Sequence, residues 1–226
     1  MQKSSAPIKA ILYDLDGTLV DNFRAIQLAI NYAEEALGLP PSTHERVRSV
    51  VGGGIELTLT RLVGAGKMPR ALPLYHERFA QVMFEGLTPC PGAVALLREL
   101  HARGVRQAVL TNKHGEGARA VIRHLGWNPW FELVLGTHDT PWRKPQGVLG
   151  LHAVEKLGTF PGDTVMIGDS PFDLDTAANT GLRGYAVTTG SHTRAQLLAH
   201  QPPPAGVYDS LIELGAEVFG LTLAPP

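Results

Sequence analysis

From residue 105 onward the chain alternates short apolar runs with helical periodicities, and this alternation constrains the fold more than any other feature. Residues 105–110, 133–135, 164–167 and 185–187 read as strands, the last of them closing the series. Between them lie helical faces: Ala118, Val121, Ile122 and Leu125; residues 146–157; and Leu174, Ala177 and Ala178. Ala93, Leu96, Leu97 and Leu100 form a helix before the first of these strands, stopped by Gly104. Strands joined by helices call for a parallel sheet covered on both faces, an α/β fold. Thr193 with Gln196 and Ser210 with Glu213 cap two terminal helices, with Pro202, Pro203 and Pro204 a stiff connector between them.

The first strand of the chain lies far from the others. Ile8, Ala10, Ile11 and Leu12 have the character of a buried strand that ends in Asp14-Leu15-Asp16-Gly17-Thr18. Strand side chains alternate with a period of two, so Asp14 and Asp16 are expected on one face. Carboxylates so close repel unless a cation or a shared proton intervenes. At the carboxyl end of a parallel strand they stand where open α/β sheets bind their ligands.

Between this strand and the rest of the sheet, residues 21–87 show no strand pattern. Phe23, Ile26, Ile30, Ala33 and Leu37 mark one helix over 22–37, and Ser42 with Glu45 signals the cap of a second, running to Val51. After Gly52-Gly53-Gly54, residues 55–63 and 70–85 complete a block of four helices. The expected division is a core of 1–20 and 88–226 with residues 21–87 inserted as a helical bundle.

Composition removes several function classes. With 226 residues, 44% of them apolar and 18% charged, there is material for a sizeable core. A net charge of −1 and scattered basic residues argue against nucleic acid or an anionic membrane as partner. The lone Cys90 cannot form an internal disulfide, as expected of a cytoplasmic protein, and reads as structural. No apolar run approaches a membrane span, and the nine histidines have no metal-ligand spacing.

Parallel strands point one way, so their polar ends converge: Asp14 and Asp16, Thr111 and Asn112, the loop bearing Lys144, and Asp169 with Asp173. Acids, a lysine, a hydroxyl and backbone amides at helix starts are the parts phosphoryl transfer requires. Oxygen ligands favour Mg²⁺ as the cation.

These segments resemble the four motifs of the haloacid dehalogenase superfamily, within it the phosphoglycolate phosphatase-like group. Asp14-Leu15-Asp16-Gly17-Thr18-Leu19-Val20-Asp21 is similar to the first motif and Thr111-Asn112-Lys113 to the second. Lys144-Pro145 is similar to the third and Gly168-Asp169-Ser170-Pro171-Phe172-Asp173 to the fourth. Thr88-Pro89-Cys90-Pro91-Gly92 resembles the return from cap to core. The chain departs from the pattern at Gly147, where a proline is usual, and at His114-Gly115, where a proline-bearing helix start is common.

The resemblance implies a Rossmann-like core with a type 1 helical cap and a Mg²⁺-dependent hydrolase of a small phosphorylated metabolite, 2-phosphoglycolate first. It implies Asp14 as nucleophile and Asp16 as general acid and base. Thr111, the Asn112 amide and Lys144 are then the phosphoryl-binding groups. Mg²⁺ is expected on Asp14, the Asp16 main-chain carbonyl and Asp169, with Asp173 in support. Gly52, Gly53 and Gly54 are candidates for contact with the substrate, as are Arg48, Arg61, Lys67 and Arg70 for its carboxylate. Asp16 argues against the dehalogenase branch. The alternatives are a phosphatase for pyrophosphate, a nucleoside monophosphate or a sugar phosphate, or a phosphomutase resembling β-phosphoglucomutase. The expected assembly is a monomer or homodimer.

Overall fold

The computed structural model describes residues 7–223. β1 (Ala10–Tyr13) lies between two parallel neighbours, β4 (Arg106–His114) and β6 (Thr164–Gly168), with Ala10 paired to both Arg106 and Thr164. β5 (Leu133–Thr137), β7 (Arg183–Val187) and β8 (Gly206–Tyr208) complete a six-stranded parallel sheet in the order β5-β4-β1-β6-β7-β8. The strand that comes first in sequence is therefore central in space.

Both faces of β1 are buried, so its residues are apolar without alternation. Ile11 and Tyr13 pack with Val109, Val165 and Ile167 under α5 (Ala93–Ala102), α6 (Gly115–His124) and α10 (Leu211–Phe219). Ala10 and Leu12 pack with Leu110 and Met166 under α7 (Gly147–Lys156) and α8 (Pro171–Thr180). The short α9 (Arg194–Leu198) precedes β8, and Leu197 packs on Leu174 and Val207.

The chain leaves the sheet through β2 (Val20–Asp21) and returns through β3 (Thr88–Pro89), which pair antiparallel. Between them lie α1 (Phe23–Ala36), α2 (His44–Arg48), α3 (Ile55–Val63) and α4 (Met68–Val82), which bury Ile26, Ile30, Leu59 and Tyr75 in a core of their own.

Several local expectations are corrected. Thr43, not Ser42, caps α2, accepting the Arg46 N–H at 3.2 Å. Ser42 is occupied elsewhere: its N–H and hydroxyl donate to the Glu34 carboxylate at 2.7 and 2.6 Å. α2 stops at Arg48 rather than Val51, where the glycine turn takes over, and α4 starts at Met68 and ends at Val82. β2, β3 and β8 have two, two and three residues, too few to show a period, and were not expected. β4 extends four residues past Leu110, carrying Thr111-Asn112-Lys113 within the strand.

Candidate active site

Because β1, β4 and β6 run the same way, the residues at their carboxyl ends meet at one sheet edge. The Asp14 N–H still donates to Ile167 O at 2.9 Å, which holds Asp14 at the tip of β1 beside the end of β6. Asp169 follows β6, and Asp173 lies in the first turn of α8. One carboxylate oxygen from each of Asp14, Asp169 and Asp173 falls within 4.8 Å of the other two, and all three residues are buried.

Lys144 arrives from the loop after β5. Its Nζ donates to Asp14 Oδ1 and to Asp173 Oδ1, each at 2.6 Å, and its side chain is 1% exposed. Asp173 Oδ2 accepts the Ser170 N–H at 3.0 Å and the Ser170 hydroxyl at 2.7 Å, the capping box of α8. Asp169 Oδ2 accepts the Ser191 N–H at 2.7 Å and its hydroxyl at 2.9 Å, while Thr18 donates to Oδ1 at 3.3 Å. Gly190 permits this approach, since a Cβ there would stand 1.9 Å from Asp169 Oδ2.

Three buried acids stand together, and one ammonium bonds two of them, Asp14 and Asp173. Burial pushes Asp14 up to about 8, the pull of Lys144 opposing it and the Asp173 and Asp169 charges adding to it. Burial and the Asp173 charge push Asp169 up to about 6. A pocket of oxygen donors with excess negative charge fits a hard divalent cation.

The strand spacing expected to put Asp14 and Asp16 on one face is corrected, although both residues do line one cavity. β1 ends before both, and Asp16 lies in the loop that bridges to Val20. The acids crowding Asp14 are Asp169 and Asp173, from a different part of the chain. The Asp16 side chain instead pairs with Lys113, whose Nζ donates to Oδ2 at 2.9 Å and Oδ1 at 3.2 Å. The same Nζ stands 4.7 Å from the centre of the Phe79 ring on α4. Lys113 thus joins the sheet edge to the helical insertion.

Thr111 and Asn112 are buried at the site. The Asn112 side chain accepts the Lys144 N–H at 3.0 Å and donates to Lys144 O at 3.2 Å, which locks the lysine loop to β4. It also donates to Gly52 O at 3.3 Å. The glycine turn therefore meets the core instead of hanging free. Gly52 has φ of 129°, and a Cβ on Gly53 would strike Phe172 at 2.7 Å.

A cavity of about 620 Å³ opens from Asp14, Asp16, Thr111 and Asn112 toward the insertion, and Gly52 and Gly54 also line it. None of Arg48, Arg61, Lys67 and Arg70 lines it. Arg48 donates to Gly190 O at 2.9 Å and to Thr189 O, tying α2 to the loop beside Asp169, and Arg61 donates to Val50 O at 3.2 Å. Cys90 is buried, and burial, with the Asp21 and Asp169 charges adding to it, pushes its thiol up to about 12, which suits a structural residue. Among the described residues no helix is long and apolar enough to cross a membrane.

Ser191, Gly190, Tyr75 and Phe79 were not singled out in the sequence, and Lys113 was named only within the second motif, without a role. Lys113 had a readable signal, since a period of two from Thr111 places it on the same face of β4. Ser191 and Gly190 had none, because only the tertiary fold brings them to Asp169.

A model of the haloacid dehalogenase-like hydrolase family matches residues 11–187. A phosphoglycolate phosphatase of Rhodobacter capsulatus is 35% identical over 80% of this chain and 84% of that protein. One from Chromobacterium violaceum is 32% identical over 81% and 86%. Probable phosphatase IndB of Dickeya dadantii is 32% identical over 85% and 86%. Among solved structures, a haloacid dehalogenase-like family hydrolase from Streptococcus pneumoniae superposes with a TM-score of 0.84 at 26% identity, covering 93% of this chain and 98% of that one. With a family match over most of its length and relatives above 30% identity across four-fifths of it, the chain belongs to the haloacid dehalogenase-like hydrolases, and among them it is a phosphatase.

Proposed function

We propose that this phosphatase is Mg²⁺-dependent and hydrolyses small phosphomonoesters through an aspartyl phosphate on Asp14, with residues 21–87 acting as a cap on a core of 1–20 and 88–226. The observation that carries the reading is the buried cluster of Asp14, Asp169 and Asp173 around Lys144, opening into a cavity beneath the insertion. Several relatives are phosphoglycolate phosphatases, which makes 2-phosphoglycolate the first substrate to test.

An Asp14 carboxylate oxygen attacks phosphorus, and the bond from phosphorus to the ester oxygen breaks as Asp16 gives that oxygen a proton. Water then attacks the phosphorus of the aspartyl phosphate, returning a proton to Asp16. The phosphorus–Asp14 bond breaks and inorganic phosphate leaves. Lys113, bonded to both Asp16 oxygens, fixes where that carboxylate points. Lys144 has three donors, of which two hold Asp14 and Asp173, so the third is available to a phosphoryl oxygen. The Thr111 hydroxyl and the Asn112 amide would take further phosphoryl oxygens.

Mg²⁺, held by Asp14, Asp169 and the Asp16 carbonyl, would supply charge neutralisation of the phosphoryl group. Asp173, with both oxygens already bonded, would orient Lys144 and the start of α8. The apolar insertion would exclude water from the first step.

The direct test is phosphate release from 2-phosphoglycolate, pyrophosphate, nucleoside monophosphates and sugar phosphates, each with Mg²⁺ and with EDTA. Release lost with EDTA is expected. Release that EDTA leaves intact would overturn the metal dependence, and interconversion of hexose phosphates without release would point to a mutase.

A second test uses stability. Asp14 and Asp169 titrate above their usual 3.8, so between pH 4 and 8 the metal-free native state binds more protons than the unfolded chain. Its stability therefore falls as pH rises through that window. Mg²⁺ competes with those protons, so its stabilisation grows with pH. At about a hundred times its Kd and pH 8, Mg²⁺ should raise Tm by about 5–10 °C, and by less at pH 6. An equal shift at both pH values would count against binding at these acids.

A further inference from the structure

The loop between β7 and α9 sets the orientation of Asp169. Asp169 Oδ2 accepts two donors from it, the Ser191 N–H and the Ser191 hydroxyl. The loop is packed at backbone contact: a Cβ on Gly17 would stand 2.8 Å from Gly190 Cα and 2.9 Å from Asp169 Oδ2. The Thr189 hydroxyl donates to Gly17 O at 2.7 Å, so the loop also supports the turn that follows Asp16. A shift of residues 189–191 would therefore carry away the donors of Asp169 and loosen that turn.

The insertion reaches this loop through Arg48, the last residue of α2. Its Nε donates to Gly190 O at 2.9 Å, and a terminal nitrogen donates to Thr189 O. The guanidinium carbon lies 4.9 Å from the centre of the buried Phe23 ring at the start of α1, which holds the fork in place. A planar fork can grip two successive carbonyls, whereas the ammonium of a lysine acts as a point charge. Four residues on, Gly52 O accepts from Asn112, so residues 48–52 are tied both to the loop beside Asp169 and to β4.

We propose that Arg48 is a positioning residue for Mg²⁺: from the insertion it holds residues 189–191 against Asp169, and it raises the affinity of the core's cation site without touching the ion. This rests on the reading of Asp169 as a metal ligand and adds a residue of the insertion to that site. The sign of the effect separates positioning from charge. A guanidinium near a cation site repels the cation, so loss of its charge alone would tighten Mg²⁺ binding. Loss of its hold on the loop weakens it.

The test is calorimetric titration of Mg²⁺ into the substrate-free protein at pH 8, with no turnover involved. Arg48→Met, whose stem still covers the Phe23 ring, should raise the Kd for Mg²⁺ about tenfold. Arg48→Lys, which keeps the charge but not the fork, should raise it as well. A Kd that is unchanged or lower in both variants would overturn the proposal, and a lower one would leave only the charge effect. A parent that binds Mg²⁺ with variants that match it overturns this inference alone, whereas a parent that takes up no Mg²⁺ overturns the metal reading with it.

Discussion

Asp14→Asn should lower kcat by about five orders of magnitude while leaving the fold intact. The substitution replaces the attacking oxygen with an amide that is a poor nucleophile and changes almost nothing in shape. Asp14 and Asp173 share the Lys144 ammonium, each at 2.6 Å, so the lysine retains Asp173 as a partner in the variant. Removing a charge that burial already disfavours should therefore hold Tm or raise it slightly in the metal-free protein. Mass spectrometry of quenched turnover should find a phosphorylated species in the parent and none in the variant. A variant hydrolysing substrate near the normal rate, or one still phosphorylated, would remove Asp14 as the nucleophile.

Lys144→Met should cost both activity and stability. Met matches the length of the lysine stem but leaves Asp14 and Asp173 in a buried site without their ammonium. Breaking a buried pair by deleting one partner costs about 3–5 kcal/mol, which in a chain of this size lowers Tm by about 10 °C. The loss should be greatest at high pH, where the acids are ionised, and should shrink as pH falls and protons replace the missing ammonium. Saturating Mg²⁺ should recover part of it. The rate should fall about 10²–10³-fold from loss of a fixed positive charge at the phosphoryl group. A variant that melts with the parent across this pH range would show that Lys144 does not hold the acids together.

The two substitutions separate in their readouts. One removes reactivity at constant or higher stability, and the other removes the charge that lets three acids share a buried pocket. A general loss of folding would depress both variants alike, and the opposite sign expected for Tm excludes it.

Much of this was legible from residues alone because strand and helix periods are local. The alternation after residue 105 led to a parallel sheet, and parallel strands oblige Asp14, Thr111, Asn112 and Asp169 to converge. The misreadings occurred where a short-range signal met a long-range competitor. Ser42 has the side chain of a cap, yet Glu34, eight residues earlier on α1, takes both its donors. Arg48 has the charge to greet a substrate carboxylate from the insertion, yet it is held by the carbonyls of Gly190 and Thr189. In each case the deciding partner lies on another element.

By itself the sequence determined the α/β core, the helical insertion and the identity of the polar residues at the sheet edge. These follow from hydrophobic period and from the direction shared by parallel strands, both of which a single chain displays. Which acids crowd one another was decided only by the tertiary structure. The pairing expected along β1 gave way to Asp14 with Asp169 and Asp173, because β6 lies beside β1 in the sheet. The same holds for the partner of Asp16, which is Lys113 on β4, and for the cavity, whose walls come from α4 on one side and α6 on the other. Side-chain spacing along a strand is set by covalent geometry, whereas the distance between strands far apart in sequence is set by how the core packs. The electrostatics of this site belong to the second kind.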